Sequence, residues 1–427
     1  MRSMEAKKAK RAKEAKSSFK ERLEPGYKRT EVGVIPEDWT IETLGELGKW
    51  LSGGTPSMSE KTYWDGSVPW VSPKDMKVAR LHDASDHVSE KALTNGTRLA
   101  PQHALLIVVR GMILAHSLPV ARAERSLAFN QDIKALIARD SVDSNFLLWW
   151  FQANRSALLS LTAESTHGTK RLPSETLFAQ KIALPPLPEQ KAIAEVLNKA
   201  DALIECFERL VAKKHLLKRG VMQKLLRPKD KWVTIKLGSL GVFLKGSGVR
   251  KDESMSGDLP CVRYGEIYTK HNDYIKRFHS WISREVAATA KRLKAGDLLF
   301  AGSGETKEEI GKCVAFVDDL EAYAGGDIVI LRQEKTNSVF MGYYLNTGPI
   351  NRQKASKGQG DAVVHISASA LADIDITIPA LNEQVAIAAI FSAMDAEIVL
   401  LEAQLAKYRQ IKQGLMQNLL TGRIRLV

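Results

Sequence analysis

Little in this chain is built for covalent cross-linking, metal binding or membrane insertion. Only three cysteines occur in 427 residues, Cys206, Cys261 and Cys313, and no two form a CxxC pair. That spacing argues against a disulfide framework or a zinc cluster, and three ordinary thiols fit a reducing cytoplasm. No uninterrupted apolar run approaches the roughly 18–20 residues that span a bilayer. The N-terminal sequence MRSMEAKKAKRAKEAK lacks the apolar stretch of a secretion signal. Catalytic motifs are missing too. No GxxxxGK[ST] phosphate loop and no HExxH appears. Phe300-Ala301-Gly302-Ser303-Gly304 looks like the FxGxG loop that cradles S-adenosylmethionine in methyltransferases. The tetrapeptide those enzymes need beside a flipped base is absent, however, because the chain's Pro-Pro pair sits in Leu184-Pro185-Pro186-Leu187 without an amide or carboxylate. The glycines therefore read as a turn. No cofactor and no metal site is expected. Of the scattered histidines, His167 alone sits in a polar loop beside basic residues, Lys170 and Arg171.

What is present is a net charge of +13 with an uneven distribution. Residues 1–30 carry 11 Lys/Arg against 4 Asp/Glu, and residues 185–228 carry 9 against 5. Residues 31–184 carry 16 against 17, and 229–378 carry 21 against 19. The two large segments are nearly neutral, so any nucleic-acid contact they make must use local patches. Residues 1–30 read as a basic arm.

The dominant feature is an internal repeat. Residues 184–226 align without a gap on residues 378–420, and 19 of 43 positions are identical. Each copy opens on a Glu-Gln pair, Pro188-Glu189-Gln190 and Asn382-Glu383-Gln384. Proline suits a first helical turn, asparagine a cap, and glutamate the positive end of the dipole. Heptad spacing follows. The first seam runs through Ile193, Leu197, Ile204, Phe207, Val211, Val221 and Leu225, with Lys218 among them. The second runs through Ile387, Phe391, Met394, Ile398, Leu401, Leu405, Tyr408, Leu415 and Leu419, with Lys412 at the position equivalent to Lys218. Alternating four- and three-residue steps predict a coiled-coil seam, and polar seam residues often fix register. Residues 188–226 as one helix would be about 58 Å long. Such a helix needs a partner for its apolar stripe, and the other copy, running antiparallel, is the obvious one.

The segments before each helix share landmarks: a Trp then Leu-Gly (Trp39, Leu44-Gly45; Trp232, Leu237-Gly238), a Gly/Ser turn, short β-like runs and an aromatic helical stretch. The expected fold is α+β: two mixed α/β domains, 31–184 and 229–378, joined by connector helices at 185–228 and 379–427 in a pseudo-two-fold repeat.

Residues 26–47 (GYKRTEVGVIPEDWTIETLGEL), 52–57, the paired Glu-Gln helix starts and 414–422 (GLMQNLLTG) together resemble the specificity subunit of type I restriction–modification enzymes. The resemblance covers nearly all of the chain beyond residue 25. It implies two target-recognition domains that each read half of a split DNA site, connector helices that space them, no catalytic residues, and two adenine-N6 methyltransferase subunits as partners, with restriction subunits able to join. Arg and Lys read guanine edges, Asn and Gln adenine, and Ser and Thr several bases. The candidate DNA-binding residues are thus Thr55, Ser57, Lys74, Arg98, Thr169, Lys170 and Arg171 in the first domain. In the second they are Lys245, Ser247, Arg250, Lys251, Arg263, Tyr264, Lys357 and Gln359. Two other classes compete: a stand-alone methyltransferase using the Gly302–Gly304 turn, and a coiled-coil scaffold with no DNA role. Like helices suit two copies of one partner, and unlike domains suit an asymmetric target.

Overall fold

A computed structural model describes residues 23–164, 169–360 and 363–426. Most of the basic arm, and His167, lie outside the described residues. The chain divides into two compact units. One holds the described residues up to Glu208 with those from Gln404 onward, and the other is Arg209–Ala403. Each contains one mixed α/β domain and parts of both long helices, Leu187–Leu225 and Leu381–Leu419.

Domain 1 is built on two sheets. The larger has five strands in the order Gly48–Ser52, Ile133–Ala138, Leu105–Val108, Val120–Ala123 and Arg80–Leu81. The smaller orders Asp86–Val88, Val68–Val71, Leu127–Phe129 and Arg98–Ala100. Domain 2 repeats the plan. Its first sheet orders Gly241–Lys245, Ile328–Gln333, Leu298–Ala301 and Cys313–Ala315, and its second Ser280–Ile282, Leu259–Val262, Tyr323–Ala324 and Lys291–Arg292. Central strands are buried on both faces, which is why LLIV and LLFA read as continuous apolar runs rather than alternations. In each domain the last strand pairs antiparallel with the first after the entry tryptophan, Lys181–Leu184 with Thr40–Thr43 and Asp375–Ile378 with Val233–Lys236. These pairings close the domain beside the helix that follows.

The FAGSG segment lies inside this framework. Leu298–Ala301 is a fully buried central strand, and Ser303–Gly304 pairs with Val364–His365. A Cβ at Gly302 would stand 2.9 Å from the Asp327 carbonyl. Close strand packing requires the glycine. Cys261 and Cys313 are buried, with burial pushing both thiols up to about 12, while Cys206 is exposed. All three are free.

The Glu-Gln pairs prove to be anchors. Gln190 and Gln384 are buried. Gln190 Oε1 accepts from Asp143 N at 2.8 Å, and Gln384 Oε1 accepts from Asn337 N at 2.9 Å. Asp143 and Asn337 cap the aromatic helices Ser144–Ala153 and Ser338–Tyr344. Each carboxamide also donates through Nε2 to the proline carbonyl five residues earlier, Pro185 or Pro379, at 2.8 Å. One side chain thus fixes the long helix, the strand exit and the aromatic helix together. Glu189 is fully buried and accepts from Trp39 Nε1 at 2.9 Å and Arg425 Nε at 2.7 Å.

Along the long helices every predicted seam residue is buried or half-buried. Within the first unit Asp201 pairs with Lys412, and Phe207 lies 5.0 Å from Tyr408. Within the second, Lys214 pairs with Glu397 and Lys218 with Asp395. In both, partners descend along one helix as they ascend along the other. Lys218 and Lys412 each reach an aspartate and an aromatic ring. Lys218 sits 2.6 Å from Asp395 and 4.9 Å from the Tyr343 centroid, while Lys412 pairs with Asp201 4.5 Å from the Trp149 centroid. The second clamp is the more elaborate, since Asp395 also accepts from Lys276 and from the Tyr343 hydroxyl.

Leu381–Leu419 is long and apolar enough to cross a bilayer by length and composition alone, which a search for uninterrupted apolar runs does not detect. Ile387, Ala388 and Phe391 on it are packed into the domain 2 core, and Asp395 interrupts it with its ion pairs.

Two stability predictions follow from these buried groups. Asp395 has a side chain 8 % exposed, against 31 % for Asp201. Burial raises its pKa, but hydrogen bonds from Lys218, Lys276 and Tyr343 outweigh that and hold it below the ordinary carboxylate value. Its contribution is therefore present above the unfolded value and lost as pH falls through the folded one. Asp395→Asn is expected to cost about 3 kcal/mol in chemical denaturation by removing the nearer carboxylate from Lys218, which keeps only Asp273 at 3.6 Å, and the partner of Lys276; Asp201→Asn should cost clearly less. Equal costs would contradict the inequality of the clamps. His271, 3 % exposed, packs against His279 and has no partner for Nε2 among the described residues; burial pushes it down to about 4 from 6.5. A depressed histidine makes the unfolded chain the better proton acceptor, so stability falls between pH 6.5 and about 4. His271→Phe should flatten that part of the thermal-midpoint profile; an unchanged slope would exclude His271 as its source.

Candidate nucleic-acid interface

The two domains can be superposed by their hydrogen bonds rather than by sequence. In domain 1 Val109 N donates to Asp132 O, and Leu172 N to Val109 O. In domain 2 Gly302 N donates to Asp327 O, and Ile366 N to Gly302 O. Arg110 therefore occupies the place of Ser303, and Arg171 that of His365. The pairings agree, because Arg110 bridges Arg171 and Ser303 pairs with His365.

On this frame domain 1 collects cations. Lys134 lies opposite Ser52 in the strand register and donates to its hydroxyl at 2.7 Å. Burial, then the guanidinium groups of Arg171 and Arg98, hold the Lys134 ammonium below its ordinary pKa. Arg98 and Arg171 are exposed and have no carboxylate partner among the described residues. Arg110 is 4.0 Å from Asp132. Thr55 donates to exposed Gln131 close by in the fold. Like charges held together with a carboxylate only at Arg110 cost stability. They suit a ligand that supplies anionic or acceptor atoms.

The equivalent place in domain 2 is a cleft of about 460 Å³, lined by Lys245, Ser303, Asp327, Lys357, Gln359 and His365 among others. Lys245 and Gln359 are exposed there, and the Ser303 hydroxyl lies 2.9 Å from His365 Nδ1. Lys357 is tied to Asp373 at 2.5 Å. Among the described residues no group of three or more His, Cys, Asp or Glu is placed to hold a metal.

The candidates named from sequence divide accordingly. Arg98 and Arg171 gather at the domain 1 face, with Thr169 and Lys170 in the adjoining segment and Lys170 paired to Glu164 at 3.3 Å. Thr55 joins them through Gln131. Lys245, Lys357 and Gln359 gather at the domain 2 cleft. Of the remainder, Ser57, Lys74, Ser247 and Arg263 have side chains engaged locally, while Arg250, Lys251 and Tyr264 stand elsewhere on domain 2. Ser57 bonds Ser59, and Lys74 pairs with Asp86 at 2.7 Å. The Ser247 hydroxyl donates to Thr289 O, and the Arg250 amide donates to Glu253. Lys251 is exposed in the same turn, where its carbonyl accepts from Ser254. Arg263 is held by Glu266 and Ser280, and Tyr264 opens the helix Tyr264–Thr269 beside it. Sequence reasoning missed Arg110, Lys134, Ser303 and His365. The available signal lies in the spacing of the two halves: Val109-Arg110-Gly111 falls 193 residues before Gly302-Ser303-Gly304, the same offset as Trp39 to Trp232.

The type I restriction modification DNA specificity domain matches twice, over residues 36–213 and 229–412. The chain belongs to that family. The type I restriction enzyme EcoR124I/EcoR124II specificity subunit of Escherichia coli is 37% identical over 164 residues, 38% of this chain and 41% of that protein. The MjaIX specificity subunit of Methanocaldococcus jannaschii is 32% identical over 192 residues, 44% of this chain and 43% of its own length. The chain thus spans less than half the length of those two relatives. The MjaVIII specificity subunit of the same organism is 22% identical over 435 residues, 94% of this chain and 97% of its own. Among solved structures, the type I S subunit from M. genitalium shares the fold at a TM-score of 0.56 and 14% identity, covering 89% of this chain and 96% of that one. A chain from work on complex assembly and conformational transition of the type I R-M system does so at 0.53 and 14%, covering 91% and 99%. Two matches to one specificity domain coincide with the two mixed domains and most of the helix after each.

Proposed function

We propose that this specificity-family chain is the non-catalytic DNA-recognition subunit of a type I restriction–modification complex in the cytoplasm. Its two domains each read one half of a bipartite, asymmetric site. Two adenine-N6 methyltransferase subunits dock on it, and restriction subunits can join them. The long helices form an antiparallel coiled coil whose length sets the half-site spacing. The observation that carries this reading is the duplicated frame with unlike chemistry at equivalent positions: Arg110 and Arg171 in one domain, Ser303 and His365 in the other. A symmetric target would need no such divergence. Near-identical anchors at Gln190 and Gln384 suit a partner that binds twice. Strand pairing of Ser303–Gly304 with Val364–His365 supports this reading over a methyltransferase that would use the Gly302–Gly304 turn as a cofactor loop.

The chain assembled with methyltransferase subunits is expected to methylate adenine only at a split sequence. Replacing residues 31–184 with the corresponding domain of another family member should change one half-site alone. Inserting one heptad into the first long helix should abolish activity until the second helix receives a matching insertion. Random methylation, or full activity after a single insertion, would contradict the reading.

A further inference from the structure

Phosphates occupy the same places along a duplex whatever its sequence, whereas base edges differ. Two domains built on one frame but reading different half-sites should therefore keep the chemistry of their phosphate anchors and change that of their base readers. The structure allows that sorting residue by residue.

One feature is kept in space although not in sequence. The first-sheet strand pair that carries Lys134 opposite Ser52 in domain 1 carries Val329 opposite Lys245 in domain 2. Directly opposed residues on a sheet lie about 5 Å apart at Cβ, within the reach of one lysine. The ammonium is thus supplied at the same spot by opposite strands. In the neighbouring two positions the chemistry changes. Arg110 and Arg171 are replaced by Ser303 and His365, which bond each other at 2.9 Å beside exposed Gln359.

Resting on the reading of both domains as half-site readers, we infer that Lys134 and Lys245 are equivalent phosphate anchors, and that Arg171 with Arg110 selects guanine in the half-site of domain 1. A guanidinium fork matches the O6 and N7 acceptors of guanine two at a time; the ammonium of lysine can bond guanine too, but as a point charge on a flexible stem it lacks the planar, pre-organised fork. Arg171 is free to turn outward, because it is exposed and no carboxylate holds it among the described residues. Domain 2 has no arginine at either position and reads its half-site with neutral hydrogen-bonding groups.

The test is selection from a randomised duplex library by the full chain in its methyltransferase complex, with sequencing of the retained DNA. The wild-type complex is expected to enrich a bipartite site whose domain 1 half contains guanine. Arg171→Lys and Arg110→Lys keep the charge and the surface. At least one should lose roughly 5- to 150-fold discrimination at a single guanine in that half, with the other half unchanged. Lys134→Gln and Lys245→Gln should each weaken binding to all sequences alike and lower the salt slope by about one. Matching thermal midpoints confirm that the variants fold, and each pair supplies a second variant if one does not. Arginine-to-lysine changes that leave base preference intact, or lysine changes that alter it, overturn the inference while the proposed function stands. A complex that enriches no split site overturns the proposed function itself.

Discussion

The fold turns on one buried carboxamide in each half. A 39-residue helix has an apolar stripe that it cannot cover alone, and a rod of that length gains nothing from a domain unless its first turn is held rigidly. Gln190 and Gln384 supply that hold. Each satisfies a cap-residue amide on the aromatic helix and a proline carbonyl at the strand exit. Buried amides left without such partners cost about 1–3 kcal/mol each, so the junction tolerates little variation. That explains why Glu-Gln recurs at the same place in both copies while the surrounding residues drift.

Further along the helices the same economy appears in the Lys–Asp–aromatic clamps. Lys218, Asp395 and Tyr343 reproduce Lys412, Asp201 and Trp149 in chain spacing, yet in the former trio the aspartate itself takes a second lysine, Lys276, whereas in the latter the extension runs from Trp149 through Asn198 to Arg80. Buried ion pairs add little net stability against apolar replacements, and their better attested use is fixing register. A slipped pairing would strand Asp395 against apolar neighbours. For two long helices paired along their length, register matters more than the last few kcal/mol.

How much of this was legible in the chain differs by element. The long helices were, because heptads and a gapless repeat are local signals. The α+β character was, because strands such as LLIV and LLFA end at turns. The candidate interface was only partly so. Arg98, Arg171, Lys245 and Gln359 stand out as polar residues in loops or at strand ends. Lys134 lies inside a strand, DIKALIA, whose apolar neighbours disguise it. Its role depends on Ser52, 82 residues away, and on guanidinium groups brought in by two other strands. Arg263, Lys74 and Ser247 look equally available in sequence, but local partners engage each of them. No one-dimensional pattern distinguishes a tethered cation from a free one.

The strand exchange between Lys134 and Lys245 carries the broader physical point. A gapless alignment sets residues side by side by chain position, and by that measure neither lysine has a counterpart. A sheet sets them by register, and there a position and its opposite number share one patch of surface. Drift between duplicated domains can therefore erase the match at each position while preserving the charge at each place. Positions 110 and 303 show the reverse: the backbone match is kept by the same hydrogen bonds while the side-chain chemistry is lost. What a duplicated binding protein retains and what it varies is then read from where the side chains converge, with the shared backbone bonds serving as the ruler.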